Sequence, residues 1–391
     1  MRLIILNPYS LPIVNPRSLR INNIIKSTFG KIDTIQLCNP VEGYKNSSKH
    51  IKQHGFKLPN SKSNQLNNKS LFLEFIQWLI WPDIFVLNSI IHFLFYFFKY
   101  KCKNDILLTL SNPVSEHLVG LLIKLFKIKG VYWIADIGDI FSHVHARKKS
   151  SRLKKLTSIY EKWVLTYSDC IVVNSESIRD FYLEEYNVDS AKVKLIYNGP
   201  NVEFDKINSE FGDEIILSYF GNCYLPIRPA VMEIEILLEV ITLLELRGFK
   251  SKLKLIGRQY SELFLHYGSN KKIEFCQQLS PYSLINEFQI ANVLICFANK
   301  NYPGMQSKLE DYVNSGLPIV YFCYNASDSG QKFLEGHHLV LNYQLGLDNP
   351  NKLYEFVEKN KFQGIDQQSR NVEINKLNWP KLLEDLNILN K

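Results

Sequence analysis

At 391 residues the chain is too long for one ordinary core, and two domains of about 150–200 residues are expected. Its seven cysteines are scattered, odd in number and without a C-x-x-C, which argues against a disulfide framework or a zinc module and fits a reducing cytoplasm. The net charge of +8 is uneven: residues 1–205 carry 27 Lys and Arg against 17 Asp and Glu, a net +10, while residues 206–391 hold 19 against 21, a net −2. The first half alone therefore suits an anionic partner, whether a phospholipid surface, a lipid phosphate or nucleic acid.

The opening MRLIILNPYS has one Arg and an apolar run that meets Asn and Pro too early for a signal peptide, so it reads as a first buried strand over 3–6. Residues 44–69, rich in Lys, Asn, Ser and Gln, read as an exposed loop or insertion. The stretch 84–98, IFVLNSIIHFLFYFF, is strongly apolar but short for a bilayer span of about 20 residues. A half-buried core helix and a helix lying in a membrane interface both fit it. Further strands are expected over 34–38, 105–110, 130–135, 170–174 and 193–197, with helices between them, as over 116–126 and 151–167. After a polar stretch from Asn198 to Asp213 the alternation resumes, with strands over 215–220, 252–256, 273–276, 293–296 and 319–323. The fold class expected is α/β, two Rossmann-like doubly wound domains facing across a cleft. The expected domains are 1–205, with a C-terminal helix near 376–391 packing back on it, and 206–375.

In such domains ligands sit outside the carboxyl ends of the strands. One candidate there is WIADIGD (133–139), where a strand ends in Asp136 and Asp139 around a glycine. The two acids suit orienting a hydroxyl or removing a proton, or else a structural turn. His143 and His145 have no third ligand pattern beside them, so no metal site is expected. The run 145–155 packs six Lys or Arg, a solvated helix start or a lipid-phosphate contact, and it lacks the aromatics of nucleic-acid stacking. The turn Gly221-Asn222 follows a strand and precedes Arg228, whose planar fork suits a diphosphate. Ser307 and Glu310 form a capping box, with Ser315-Gly316 and Pro318 as the helix stop. Ser307 and Lys308 would then offer a helix N-terminus and a point charge to an anion, with Asp311 one turn in for sugar hydroxyls. A capped helix that binds nothing fits the same residues.

Placed in order, these segments resemble the GT-B glycosyltransferases, specifically the glycosyltransferase family 4-like enzymes of bacterial capsule, O-antigen and exopolysaccharide assembly. The likeness rests on SNPVSEHLVG (111–120) with WIADIGD, on SDCIVVNSES (168–177) with LIYNG (195–199), and on YFGN (219–222), LIG (255–257), QSKLEDY (306–312) and SGLPI (315–319). The resemblance implies a metal-independent, retaining transfer of a hexosyl or deoxyhexosyl unit, with a nucleotide-diphosphate sugar as co-substrate and no other cofactor. It implies a C-terminal donor domain using Gly221, Asn222, Arg228, Gly257, Ser307, Lys308 and Asp311, with Arg228 at the diphosphate position and Asp311 at that of a ribose-binding Glu. The N-terminal domain would hold a lipid-linked glycan acceptor through Arg17 and His117, with Asp136 or Asp139 acting on its hydroxyl. A basic N-terminal domain agrees with work at the inner face of the cell membrane, as a peripheral cytoplasmic protein. Two departures stand out: Pro303 occupies the place of the first acid of the family's E-x7-E, and Asn222 follows Gly221 where Arg is common. An epimerase or hydrolase on the same fold, and a degenerate partner without activity, are the rival readings.

Overall fold

The computed structural model describes residues 2–6, 16–28, 32–37, 51–54, 82–83, 86–100, 105–144, 151–200, 212–224, 227–279, 281–300, 302, 304–325, 328–363 and 378–386. The chain divides into two units, Met1–Tyr197 with Leu377–Lys391, and Asn198–Lys376. The first unit thus ends eight residues before position 205.

In the first unit the elements run β1 (Arg2–Leu6), α1 (Pro16–Thr28), β2 (Asp33–Leu37), β3 (Ile51–His54), α2 (Val86–Tyr100), β4 (Asp105–Leu110), α3 (His117–Leu125), β5 (Val131–Ile137), α4 (Phe141–Val144), α5 (Ser151–Tyr167), β6 (Cys170–Val173), α6 (Glu176–Tyr186) and β7 (Val193–Leu195). The strands form one parallel sheet in the order β3-β2-β1-β4-β5-β6-β7. Helices cover both faces, so β4 (DILLTL) is buried at every residue, which is why it reads as a continuous apolar run. The segment 44–69 is not all loop: its residues 51–54 add a parallel edge strand to β2, and the remainder lies outside the described residues. The polar IKQH sequence is what an edge position tolerates.

In the second unit the elements are β8 (Glu214–Phe220), α7 (Val231–Leu246), β9 (Lys250–Ile256), α8 (Ser261–Tyr267), β10 (Ile273–Cys276), α9 (Pro281–Ile290), β11 (Val293–Phe297), α10 (Lys308–Ser315), β12 (Ile319–Cys323), α11 (Ser329–Phe333), β13 (Val340–Gln344) and α12 (Pro350–Asn360). Its parallel sheet has the order β10-β9-β8-β11-β12-β13. Both sheets therefore reverse direction of winding between their first and fourth strands, the switch point outside which doubly wound folds bind ligands.

The last helix, α13 (Trp379–Asp385), returns to the first unit and contacts α1. Trp379, Leu382 and Leu383 are buried in one cluster with Ile21 and Ile24. Burying three such side chains contributes about 1.5–3 kcal/mol each, enough to hold a seven-residue helix in place.

Candidate functional site

In the second unit the site grows from two glycines that let loops touch. Gly221 ends β8 at φ +149° and Gly257 ends β9 at φ +135°, and a Cβ on Gly257 would sit 2.3 Å from the Gly221 carbonyl oxygen. Only glycine permits both the backbone conformation and this approach. The Asn222 side chain then fastens the loops by accepting from the Arg258 N–H at 2.9 Å.

Arg228 is buried over this turn. Its Nη1 donates to the Tyr219 hydroxyl at 3.3 Å and the Asn222 carbonyl at 3.1 Å, and its Nη2 donates to Asn299 Oδ1. All three partners are neutral, so the guanidinium is positioned without being neutralised. Asn299 is itself held by donating to the Gly304 carbonyl at 2.7 Å.

Lys308 completes the arrangement. Its Nζ lies 3.8 Å from the centroid of the Tyr219 ring and occupies the space a Cβ on Gly221 would need, 2.0 Å from it. The stem is half-buried, but the ammonium is enclosed and has no hydrogen-bond partner. Burial first, and the Arg228 charge second, lower its pKa to about 7. Two cations thus flank the switch point of β8 and β11, and no carboxylate of the described residues pairs with either. Enclosed charges left uncompensated are rare unless an anion completes the site.

Residues 107–204 match the family model Glycosyltransferase Family 4. No curated protein sequence matches the chain. A glycosyltransferase from Rickettsia africae superposes with a TM-score of 0.61 at 15% identity, covering 100% of this chain and 98% of that one. WaaG, a glycosyltransferase involved in lipopolysaccharide biosynthesis, gives 0.56 at 11% identity over 98% and 95%. The Escherichia coli trehalose-6-phosphate protein bound with UDP-2-fluoro glucose gives 0.60 at 11% identity over 100% and 95%. The chain has the GT-B fold of two Rossmann-like domains.

The helix α10 carries the remaining donor candidates, with one correction. Ser307 precedes α10 but makes no side-chain cap, and Glu310 does not close a capping box. Glu310 is fully buried and its Oε1 accepts from the Asn198 N–H at 3.0 Å, a partner 112 residues away. Ser307 is half-buried at the helix start, Asp311 is half-buried one residue beyond Glu310, and the αL Gly316 ends the helix as expected. Pro303 lies outside the described residues.

In the first unit the predicted residues separate into two groups. Arg17 and Asp139 come together: Arg17 Nη2 donates to Asp139 Oδ2 at 2.8 Å, and Asn112 Nδ2 donates to the same oxygen at 2.7 Å. Gly138 lets the Arg17 guanidinium lie close over the backbone, a Cβ position there falling 2.1 Å from an Arg17 nitrogen. This cluster stands at the carboxyl ends of β4 and β5, and the Asp139 side chain keeps 30% exposure. Asn112 was missed in the sequence, although it lies inside the SNPVSEH motif.

Asp136 and His117 do not join that cluster. Both Asp136 oxygens are taken by Arg20, at 2.6 and 2.9 Å, with both side chains buried. Arg20 also donates to the Ile196 and Tyr197 carbonyls at 3.2 and 3.0 Å, so the Asp136–Arg20 pair ties α1 to β5 and the end of β7. His117 is fully buried and stacks on Phe141. Trp133 Nε1 donates to Thr109 Oγ1 at 2.8 Å, and His117 Nδ1 lies 2.7 Å from the same hydroxyl and Nε2 3.0 Å from the Ser111 hydroxyl, so both ring nitrogens are hydrogen-bonded. Burial first and Arg17 second lower its pKa to about 3, which keeps the ring neutral. Gly120 makes room for the Trp133 ring, 2.0 Å from where its Cβ would lie.

His143 is exposed and meets the Phe181 ring edge, while His145 lies outside the described residues. Among the described residues no three His, Cys, Asp or Glu side chains gather where they could hold a metal ion.

Proposed function

We propose that the chain is a glycosyltransferase that moves a hexosyl or deoxyhexosyl unit from a nucleotide-diphosphate sugar to a hydroxyl of a lipid-linked glycan, in bacterial surface polysaccharide assembly. The observation that carries this reading is the enclosed, unpartnered Lys308 ammonium beside the neutrally held Arg228 at the Gly221 turn. A diphosphate is the anion whose charge grows during such a transfer, because the sugar leaves it with the bonding electrons. Fixed donors aimed at that charge stabilise the transition state more than the bound donor. Neutralisation by Arg228, Lys308 and the N-terminus of α10 makes the reaction metal-independent, and the retaining outcome follows the resemblance in the donor domain. UDP-2-fluoro glucose bound to the similar trehalose-6-phosphate protein, and the lipopolysaccharide role of WaaG, support the donor and acceptor classes respectively. On the first unit, Asp139 orients the acceptor hydroxyl, with Arg17 and Asn112 fixing its carboxylate.

The test is binding followed by transfer. A nucleotide-diphosphate sugar raises the melting temperature of the wild type, since a ligand that binds the folded state stabilises it. Arg228→Ala lowers kcat/KM for transfer to a lipid-linked acceptor by about 10²–10³, on the scale of removing one such donor. Wild-type transfer by Arg228→Ala would refute the assignment.

A further inference from the structure

Tyr219 meets both cations of the second unit, and nothing in its chemistry neutralises either. Its hydroxyl accepts from Arg228 Nη1 at 3.3 Å and donates to the Asn222 carbonyl at 3.1 Å, and that carbonyl also accepts from Arg228. The face of its ring meets the Lys308 ammonium, 3.8 Å from the centroid. The negative face of an aromatic ring attracts a cation most strongly where water is excluded, and the Lys308 nitrogen is enclosed. The phenol stays protonated, since burial pushes it well above its ordinary value of 10 although Arg228 pulls the other way. An aspartate or glutamate at this place would pair with the cations and cancel the charge that a diphosphate needs. A neutral oxygen and a neutral ring hold them and leave that charge whole.

The surroundings keep the tyrosine and Lys308 in place. The Tyr219 ring is fully buried and stacks on Phe297 with centroids 4.5 Å apart. The Phe297 carbonyl accepts from Gln306 Nε2 at 3.1 Å, which anchors the residue two before Lys308. Four residues after Lys308, the Tyr312 hydroxyl accepts from the Phe220 N–H at 2.8 Å and donates to the Ile295 carbonyl at 3.0 Å, tying α10 to β8 and β11. Gly221 leaves the gap that the ammonium fills. Besides Arg228 and Tyr219, the titratable groups facing Lys308 among the described residues are the thiols of Cys223, after β8, and Cys296, on β11. Burial pushes both thiols up to about 11, so they are neutral.

We propose that Tyr219 is a positioning residue of the donor site: its hydroxyl fixes Arg228 and its ring face holds Lys308, so two like charges stand together before any ligand arrives. Its part in transfer rests on the proposed nucleotide-sugar donor, whereas its hold on Lys308 is a property of the ligand-free protein.

The experiment uses the full chain with isotope-labelled lysine. The Lys308 Cε resonance, assigned by its loss in Lys308→Met, is titrated without ligand, and in wild type its midpoint lies near 7. Tyr219→Phe keeps the ring and the midpoint. Trifluorophenylalanine in place of Tyr219 keeps the shape of the ring but withdraws the negative charge of its face, and the midpoint falls by about one pH unit. A ring that only filled space would leave the midpoint unmoved, so an unchanged value overturns the proposal. In transfer, Tyr219→Phe lowers kcat by about tenfold, the scale of one hydrogen bond to a charged group, while KM for the acceptor is unchanged. Wild-type kcat in that variant also overturns it. Failure of wild type to bind any nucleotide-diphosphate sugar refutes the donor assignment instead, and the ligand-free midpoints then decide for or against Tyr219 alone.

Discussion

The two units place charged residues at equivalent ends of equivalent sheets, and they use them in opposite ways. In the second unit Arg228 and Lys308 stand beside the β8 turn with neutral partners or none, so their charge is left uncompensated within the unit. In the first unit Asp136 sits at the end of β5 with both oxygens taken by Arg20, and His117 is closed into a chain of hydroxyls and the Trp133 N–H. Motif residues of equal prominence in the sequence thus divide into those the fold consumes and those it leaves for chemistry. Asp139 lies between, held by Arg17 and Asn112 and partly exposed.

The largest expected effect tests the consumed group. Asp136→Ala strands the buried Arg20 guanidinium, which typically destabilises a fold by about 3–5 kcal/mol. Urea unfolding measures it. Nucleotide-sugar binding by the folded fraction is expected to stay unchanged, because the proposed donor residues all lie in the second unit. A variant that keeps wild-type stability but loses transfer would return Asp136 to the catalytic role that its position suggests in sequence.

The second prediction tests the uncompensated group through pH. Lys308 has a pKa lowered to about 7, chiefly by burial, and a bound diphosphate raises it by supplying the missing negative charge. Donor binding is then accompanied by proton uptake near and above pH 7. Donor affinity falls by up to about tenfold per pH unit as pH rises from 7 towards the pKa of the complex. Calorimetry in buffers of different ionisation enthalpy reads the proton directly. In Lys308→Met both the proton uptake and this pH slope disappear, and an unaltered slope would place the titrating group elsewhere.

The alternation of strands and helices was legible because each sheet is covered on both faces, so its central strands are continuous apolar runs such as 105–110 and 293–296. β3 and β13 escaped notice for the converse reason: both lie at sheet edges, and IKQH and VLNYQ are half polar. At the sites, the glycines and Arg228 were legible because a turn, a close approach and a planar cation each demand a particular residue type. What could not be read were pairings across long stretches of chain. Arg20 finds Asp136 116 residues away, and Glu310 leaves its nearby serine for Asn198, choices made by sheet topology and not by local spacing. A capping box is a statement about four residues, and a buried carboxylate goes to the donor that burial brings nearest.

The last effect concerns His117, and it distinguishes a sealed network from an acceptor site. Its folded pKa is about 3 against an ordinary 6.5, so between these values the unfolded chain binds a proton that the folded chain does not. Stability is therefore fully present above pH 6.5 and declines as pH falls towards 3, by up to about 1.4 kcal/mol per pH unit. His117→Gln keeps an amide able to meet Thr109 and Ser111 while removing the titration, so its stability changes less between pH 7 and 5 than that of the wild type. Urea midpoints at the two pH values give the comparison. If His117 instead faced an acceptor, the substitution would raise KM for that acceptor and leave the pH slope of stability untouched, because an exposed imidazole titrates alike in both states.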